Sequence, residues 1–350
     1  MRDEFVRRRA WLDDQAFLDL IGAANLIPGP TSTELAMHIG HRRAGRAGLV
    51  VAGLAFLLPA VVLVGVLAWV YVQVGRPAQL GALLDGIASV VVAIVAHAGW
   101  SIGRTALRGP LQFALLAGAI VAVLLGVSEI AVLLGAGAIS LLTRVGSERA
   151  PVALAAICWP ATGTALAAAA TAGSVATPVL IFGVFLKLGA VLFGSGYVLL
   201  ALLRSELVEG LGWITETQLI DAIAVGHATP GPLFSTATFI GYLVGGPAGA
   251  AAATVGVFLP AFVAVALSIP VLDRLRDSTR ARAFLDGVNA AAVGLLVVVA
   301  AQLSLASVRD VVSFVTAALA LVLLVRGVGT GRLIAAGAAV GLIRLLSAPM

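Results

Sequence analysis

His227-Ala228-Thr229-Pro230-Gly231-Pro232-Leu233-Phe234-Ser235-Thr236 decides how this chain folds, because a Pro-Gly-Pro triplet interrupts an otherwise apolar stretch. Proline lacks a backbone N–H and clashes with the preceding turn, so no α-helix runs straight through it. A second copy, Asn25-Leu26-Ile27-Pro28-Gly29-Pro30-Thr31-Ser32-Thr33-Glu34, lies 202 positions upstream. Inside a bilayer, broken backbone is tolerated only where protein buries it or where it lines a polar cavity. Two breaks at matching places in two halves point to the binding site of a transporter.

The surrounding composition places the chain in a membrane. Of its 350 residues, 61% are hydrophobic and 11% charged, and the mean hydropathy is +1.09. Soluble domains carry about 25% charged residues. Many apolar runs exceed the roughly 18–20 residues that span a bilayer. A membrane β-barrel would need short alternating strands, whereas these runs are continuous and rich in Ala, Leu, Val and Gly. The reading is therefore an all-α integral membrane protein. The net charge of +5 comes from arginines gathered in short loops, which is the signature of loops held in the cytoplasm rather than of a nucleic-acid partner. A single cysteine, Cys158, excludes an intramolecular disulfide. The stretch from Met1 to Asp19 is charged and lacks the apolar core of a cleavable signal peptide.

Alignment of the two breaks extends far beyond them. Trp11-Leu12 matches Trp213-Ile214, and Phe17-Leu18-Asp19 falls near Leu219-Ile220-Asp221. Ile39-Gly40 pairs with Ile240-Gly241, Phe56-Leu57-Leu58-Pro59-Ala60 with Val257-Phe258-Leu259-Pro260-Ala261, and Leu84-Asp85-Gly86 with Leu285-Asp286-Gly287. The chain thus divides into a first repeat over 1–146, an apolar linker segment over 147–177, and a second repeat over 178–350. After each break come four apolar runs, at 47–75, 80–103, 111–126 and 129–143, and at 246–272, 283–305, 310–326 and 331–346. The second repeat also has a helix expected over 178–203, ahead of its break. The first repeat has no counterpart to it. Met1-Arg2-Asp3-Glu4-Phe5-Val6 aligns with Leu203-Arg204-Ser205-Glu206-Leu207-Val208, so the chain is expected to begin just after that helix would end.

Arginine placement tests the topology. If each Pro-Gly-Pro segment re-enters and 151–171 does not cross, 17 arginines fall on the cytoplasmic side and 4 on the other. If each segment is one broken crossing and 151–171 also crosses, the split is 14 to 7. Charge bias favours the first scheme, and the length of 151–171 favours the second. Both make the two repeats face opposite ways, giving inverted-topology repeats with broken or re-entrant helices and about 10–12 membrane segments.

The chemistry of the breaks follows from helix ends. Proline suits the first helical position, so half-helices are expected to open at Pro30 and Pro232. The N–H groups of Thr31, Ser32 and Thr33, and of Leu233, Phe234 and Ser235, then lack intrahelical partners and face an anion at the positive end of a helix dipole. Gly29 and Gly231 allow close backbone approach. Hydroxyls of Thr31, Ser32, Thr33, Ser235 and Thr236 add donors, and Asn25 and Thr229 flank the same place. Pro28, Pro30, Pro230 and Pro232 are the structural frame. A bare loop or kink is the alternative for either copy taken alone.

Other residues carry weaker signals. Lys187 is the only lysine and lies mid-run. It sits about 13 Å from the start of that run, so it reads as a cavity-facing cation, with snorkelling to the interface as the alternative. Gly194 and Gly196 in Phe193-Gly194-Ser195-Gly196-Tyr197 permit close helix packing. Asp85 and Asp286 read as helix-start charges. Glu34 reads either as a proton-coupling carboxylate or as a first-turn charge, and His227 as a group that titrates near neutral pH. His97 reads as a packed core residue. No G-x-x-x-x-G-K-[ST] and no H-E-x-x-H occurs, which removes an ATP-driven pump and the commonest metalloprotease. No metal or cofactor is expected.

At this point the residues resemble a known family. Pro28-Gly29-Pro30-Thr31-Ser32-Thr33-Glu34-Leu35-Ala36 is similar to the P-G-P-N-[AS]-T-E-L-A element of the chromate ion transporter family. Trp11 to Leu20 and Gly45 to Pro59 resemble its first repeat. Phe185-Leu186-Lys187-Leu188-Gly189, Phe193 to Val198 and Ala228 to Pro232 resemble its second. The resemblance covers nearly the whole chain. It implies two oppositely oriented halves, no enzyme activity, and export of chromate across a bacterial inner membrane, driven by the membrane potential or a proton gradient. The implied partners are chromate, sulfate as an isosteric competitor, the lipid bilayer, and a second copy of the chain as a candidate homodimer. Two departures stand out: Thr31 replaces the family's frequent Asn, and the first repeat lacks the family's glycine-rich first helix. Transport of another inorganic anion is the nearest alternative. An intramembrane enzyme acting on a lipid phosphate is a remote one, because the four histidines are scattered.

Overall fold

The computed structural model describes residues 3–8, 11–13, 17, 20, 24, 29–145, 176–192, 198–269 and 278–347. All regular structure among them is helical. In chain order the helices are α1 (Thr31–Val74), α2 (Ala78–Ala106), α3 (Pro110–Leu124), α4 (Glu129–Val145), α5 (Pro178–Val191), α6 (Val198–Leu203), α7 (Glu216–Ala228), α8 (Thr236–Ser268), α9 (Thr279–Ser307), α10 (Val311–Val325) and α11 (Thr330–Ser347). Among the described residues five helices are long and apolar enough to cross a bilayer, and shorter apolar helices pack between them. Val51, Val62, Trp69, Leu124 and Phe314 point outward and are exposed, as expected where lipid is the solvent. The chain is an all-α integral membrane protein.

Local sequence sets the helix starts. Thr177 caps α5 by accepting from the Leu180 N–H, with Pro178 at the first helical position. Thr215 and Gln218 form a capping box at α7, and Asp310 and Ser313 form another at α10. Gly126 and Gly327, with φ of +83° and +85°, make the equivalent turns between α3 and α4 and between α10 and α11.

The apolar runs after each break correspond pairwise. α2 and α9 both have 29 residues, and α3 and α10 both have 15. Neither α1 nor α8 is a single rod. α1 turns back at Ala44 and Gly45, and α8 at Gly245 and Gly246, with nearly the same φ/ψ at both sites. Gly45 and Gly246 sit near φ +60°, which an L side chain adopts only with strain. Each therefore has a short arm, 31–43 or 236–244, and a long arm, 46–74 or 247–268. The arms touch at Gly40 and Gly48, and at Gly241 and Gly249, where a Cβ would overlap the opposite backbone.

The break before α8 is a fold-back. Tyr71 donates a hydrogen bond to Asp221 at 2.8 Å, and its ring meets Phe239 edge-on at 5.2 Å. A continuous helix would hold Asp221 and Phe239 about 27 Å apart. α7 and the short arm of α8 therefore run side by side and return to the same end of the molecule. Phe17 and Leu20 pack in the same way on Leu35 and Ile39 of α1.

The run over 178–203, read from sequence as one helix, is two. α5 ends at Val191 and α6 begins at Val198. Lys187 pairs with Glu206, beyond α6, although an unbroken helix would separate them by about 28 Å. This segment also folds back, and Ala176 at its start lies beside Gly245. Asp85 is likewise not a helix-start charge. It lies two turns into α2 and accepts from Arg76 at 2.7 Å.

Helices of the first unit pack between those of the second. Gly86 of α2 faces Gly337 of α11, and Gly287 of α9 faces Ala136 and Ser140 of α4. The Asp-Gly pairs thus mark points where backbones meet, as small residues do between membrane helices.

Candidate functional site

Both breaks are built from the same local geometry. Gly29 and Gly231 have φ of +142° and +155°, and each is followed by a proline in extended conformation, Pro30 or Pro232. The prolines stand just outside the helices rather than at their first positions. The first turns are tighter than expected. The Thr33 N–H donates to the Pro30 carbonyl at 2.8 Å, and the Ser235 N–H to the Pro232 carbonyl at 3.0 Å. These bonds span three residues and take two of the expected amide donors into the helices.

Each break is seated on the other unit. A Cβ at Gly231 would overlap Ala60, and one at Gly29 would come within 2.8 Å of Ala261. Ala60 lies 14 residues from either end of the long arm 46–74, which at 1.5 Å per residue spans about 43 Å. The break at Gly231 is therefore at mid-depth. The Gly29 N–H also donates to the carbonyl of Leu192 at 2.7 Å, so the end of α5 meets the first break.

A cavity of about 400 Å³ lies elsewhere, but the breaks converge on one of about 650 Å³. Pro30, Thr31, Ser32, and all residues from Gly226 to Phe234 line it. Of the sequence-derived candidates, Thr31, Ser32, His227, Thr229, Pro30, Pro230, Gly231 and Pro232 thus face one space. Thr33, Glu34, Ser235 and Thr236 lie directly behind it, all fully buried. The Thr33, Ser235 and Thr236 hydroxyls and both Glu34 carboxyl oxygens have no hydrogen-bond partner among the described residues. Thr33 and Ser235 occupy equivalent positions, as do Glu34 and Thr236. Both units therefore hold unsatisfied polar groups one turn past the break, where buried polar groups are ordinarily satisfied.

The His227 Nδ1 lies 2.9 Å from the Ile223 carbonyl, so Nδ1 carries a proton and donates it there. Thr229 donates back to the Gly226 carbonyl at 3.1 Å. Lys187 is not at this cavity. It pairs with Glu206, a partner that sequence reading overlooked because the fold-back between them was not visible. Asn25, Pro28, Gly194 and Gly196 lie outside the described residues. Sequence reading also missed Thr330 and Gly331, at the start of α11, which complete the cavity wall. No repeat or break marks them. Among the described residues no group of three or more His, Cys, Asp or Glu converges as a metal site.

Such a cavity, mid-depth and walled by backbone amides and hydroxyls, suits a small hydrogen-bond-accepting anion. Comparison with known proteins agrees. A family model described as "Chromate transporter" matches residues 1–141 and 179–342. The chain is 36% identical over 309 residues to the chromate transport protein of Pseudomonas aeruginosa, covering 85% of this chain and 73% of that protein. It is 31% identical over 332 residues to the chromate transport protein of Cupriavidus metallidurans, covering 92% and 80%. It is also 31% identical over 110 residues to the uncharacterized transporter YwrB of Bacillus subtilis, covering 31% of this chain and 55% of that protein. No solved structure matches it significantly. With both of its units matched, the chain belongs to the chromate transporter family.

Proposed function

We propose that this protein exports chromate from the bacterial cytoplasm through the inner membrane, by alternating access around the cavity between the two Pro-Gly-Pro breaks. The observation that carries the reading is the convergence of both breaks, seated reciprocally on Ala60 and Ala261, on one polar space at mid-depth. The proposed donors are the Ser32, Leu233 and Phe234 amides and the hydroxyls of Thr31 and Ser32, while Thr229, whose hydroxyl is held by the Gly226 carbonyl, shapes the wall. Thr33, Ser235 and Thr236 supply further hydroxyls if their side chains turn inward. Gly29 and Gly231 let the backbone approach the oxyanion. The two units act as inverted repeats that rock against each other.

Charge placement supports export as the direction. Arg76, Arg204, Arg309 and Arg344 cluster at one end, with the loops that follow α1 and α9. Among the described residues, Arg42, Arg43, Arg46, Arg104, Arg108, Arg280 and Arg282 lie at the other ends of the long arm of α1, of α2 and of α9, the side that the positive-inside rule assigns to the cytoplasm. Moving a dianion outward is then favoured by the membrane potential, by about 4.6 kcal/mol at 100 mV. Glu34 and His227 are the proposed proton-coupling groups. An unpaired buried carboxylate carries a desolvation cost of several kcal/mol that proton binding relieves, so Glu34 can exchange a proton as the site changes access.

Everted membrane vesicles containing the protein are expected to accumulate radiolabelled chromate when energised, with sulfate competing. Accumulation equal to vesicles without the protein, while another anion moves, overturns the assignment.

A further inference from the structure

Two cavities lie in series along α7 and α11. Gly226 to Thr229, with Thr330 and Gly331, line the Pro-Gly-Pro cavity. Thr217 and Ile220, with Val340 and Arg344, line a vestibule of about 400 Å³. The same two helices therefore wall both spaces, one toward each end. Between them stands a single turn of α7, from Asp221 to Val225, buried throughout.

One polar cluster reaches from the vestibule into that septum. Asp221 is fully buried and accepts from the Tyr71 hydroxyl at 2.8 Å and from Arg76 at 2.9 and 3.3 Å. The Arg76 guanidinium reaches on to Asp85 at 2.7 Å. Arg76 and Asp85 face the vestibule, whereas Asp221 is covered behind them. Phe239 covers the Tyr71 ring. The cluster joins the end of α1 and the start of α2 to α7 and the short arm of α8, so it ties together elements of both units. A carboxylate held this way is a costly tie compared with apolar packing. A guanidinium fork, however, binds two oxygens of a carboxylate or of a tetrahedral oxyanion in the same geometry.

We propose that Arg76 and Asp221, with Tyr71, form the gate between the Pro-Gly-Pro cavity and the vestibule, and that a tetrahedral dianion passes by replacing the Asp221 carboxylate on Arg76. The exchange keeps Arg76 paired throughout. It also makes the anion itself the agent that opens this side, so the gate stays shut when the site is empty. In the present structure the pair is formed and the site is closed toward the vestibule. The proposal rests on the oxyanion-transport reading for the exchange step, but not for the gate.

The test uses full-length protein carrying Cys158→Ser and a reporter Ala224→Cys, placed in the septum. A membrane-impermeant maleimide is applied from the vestibule side. The reporter is expected to label slowly with the pair intact, about tenfold faster with Asp221→Asn, and about threefold faster with Tyr71→Phe, since tenfold corresponds to 1.4 kcal/mol. If Asp221→Asn does not reach the membrane, the Tyr71→Phe comparison decides. Equal labelling in all variants overturns the gate. In a second arm with chromate as probe, Arg76→Lys keeps the charge but loses the fork, and transport is expected to fall about tenfold with chromate protection of the central cavity retained. Unchanged transport overturns the exchange. If the unmodified protein moves no chromate, the transport reading fails while the maleimide arm still judges the gate.

Discussion

Gly231→Ala is the sharpest probe of how the site is held. The added Cβ meets two separate costs. The backbone at φ +155° is one that L side chains rarely adopt, a strain of about 1–2 kcal/mol. The Cβ would also overlap that of Ala60 on the other unit, and overpacking of this kind costs about 1–3 kcal/mol. The sum is about 2–5 kcal/mol. Adding Ala60→Gly removes the overlap but not the backbone strain, and introduces a helical glycine at about 0.5–1 kcal/mol. The double variant should therefore regain on the order of 1 kcal/mol relative to Gly231→Ala, the middle of a range of about 0–2.5 kcal/mol. At roughly 2 °C per kcal/mol for a large chain, thermal unfolding in detergent should fall by several degrees in the single variant and recover in part in the double. The first break supplies the contrast. At Gly29 a Cβ would meet the buried Glu34 carboxyl as well as Ala261, so Ala261→Gly should rescue Gly29→Ala less. Wild-type stability in Gly231→Ala, or no rescue by Ala60→Gly, would refute the reciprocal seating.

The remaining predictions concern charges away from the cavity. Lys187→Ala leaves Glu206 without its partner at a largely covered site, with side-chain exposures of 16% and 25%; stability should fall by about 2 kcal/mol, less than for a fully buried pair. Lys187→Met with Glu206→Met should recover most of it, and equal losses in single and double variants would contradict the pairing. At the start of α10, the Ser313 N–H, with help from Arg344, holds the Asp310 carboxyl below the usual carboxylate range. A depressed folded value means that this stabilisation is present at neutral pH and is lost as pH falls through the acidic range. Asp310→Ala should cost about 1 kcal/mol at pH 7, and the gap to wild type should close on acidification in a thermal-unfolding series.

What the sequence made legible was periodic or repeated. The apolar runs, the two breaks and the alignment across 202 positions are local signals, and the helices follow them closely. Pro59-Ala60 and Pro260-Ala261 were also visible as a repeated pair, but their use as seats for Gly231 and Gly29 was not, because contact between distant segments leaves no period. The same limit explains Lys187. Its depth in an apolar run was plain, while its partner Glu206 became apparent only once the chain was seen to fold back between α5 and α6. The Asp85-Gly86 pair shows two signals merged. The glycine marks a crossing with α11 and the aspartate a bond to Arg76, and neither concerns the helix start that local capping rules suggested. Among the cavity residues, those flanking the breaks were readable from helix-end chemistry, and Thr330 and Gly331 were not.

The reciprocal seating of Gly29 on Ala261 and Gly231 on Ala60 has a further consequence for the independence of the halves. Neither half contains a complete support for its own break, so a polypeptide bearing one half cannot assemble this cavity by itself. It must borrow the seat from another molecule. The polar space between the breaks is therefore a property of the two units together and of neither one separately.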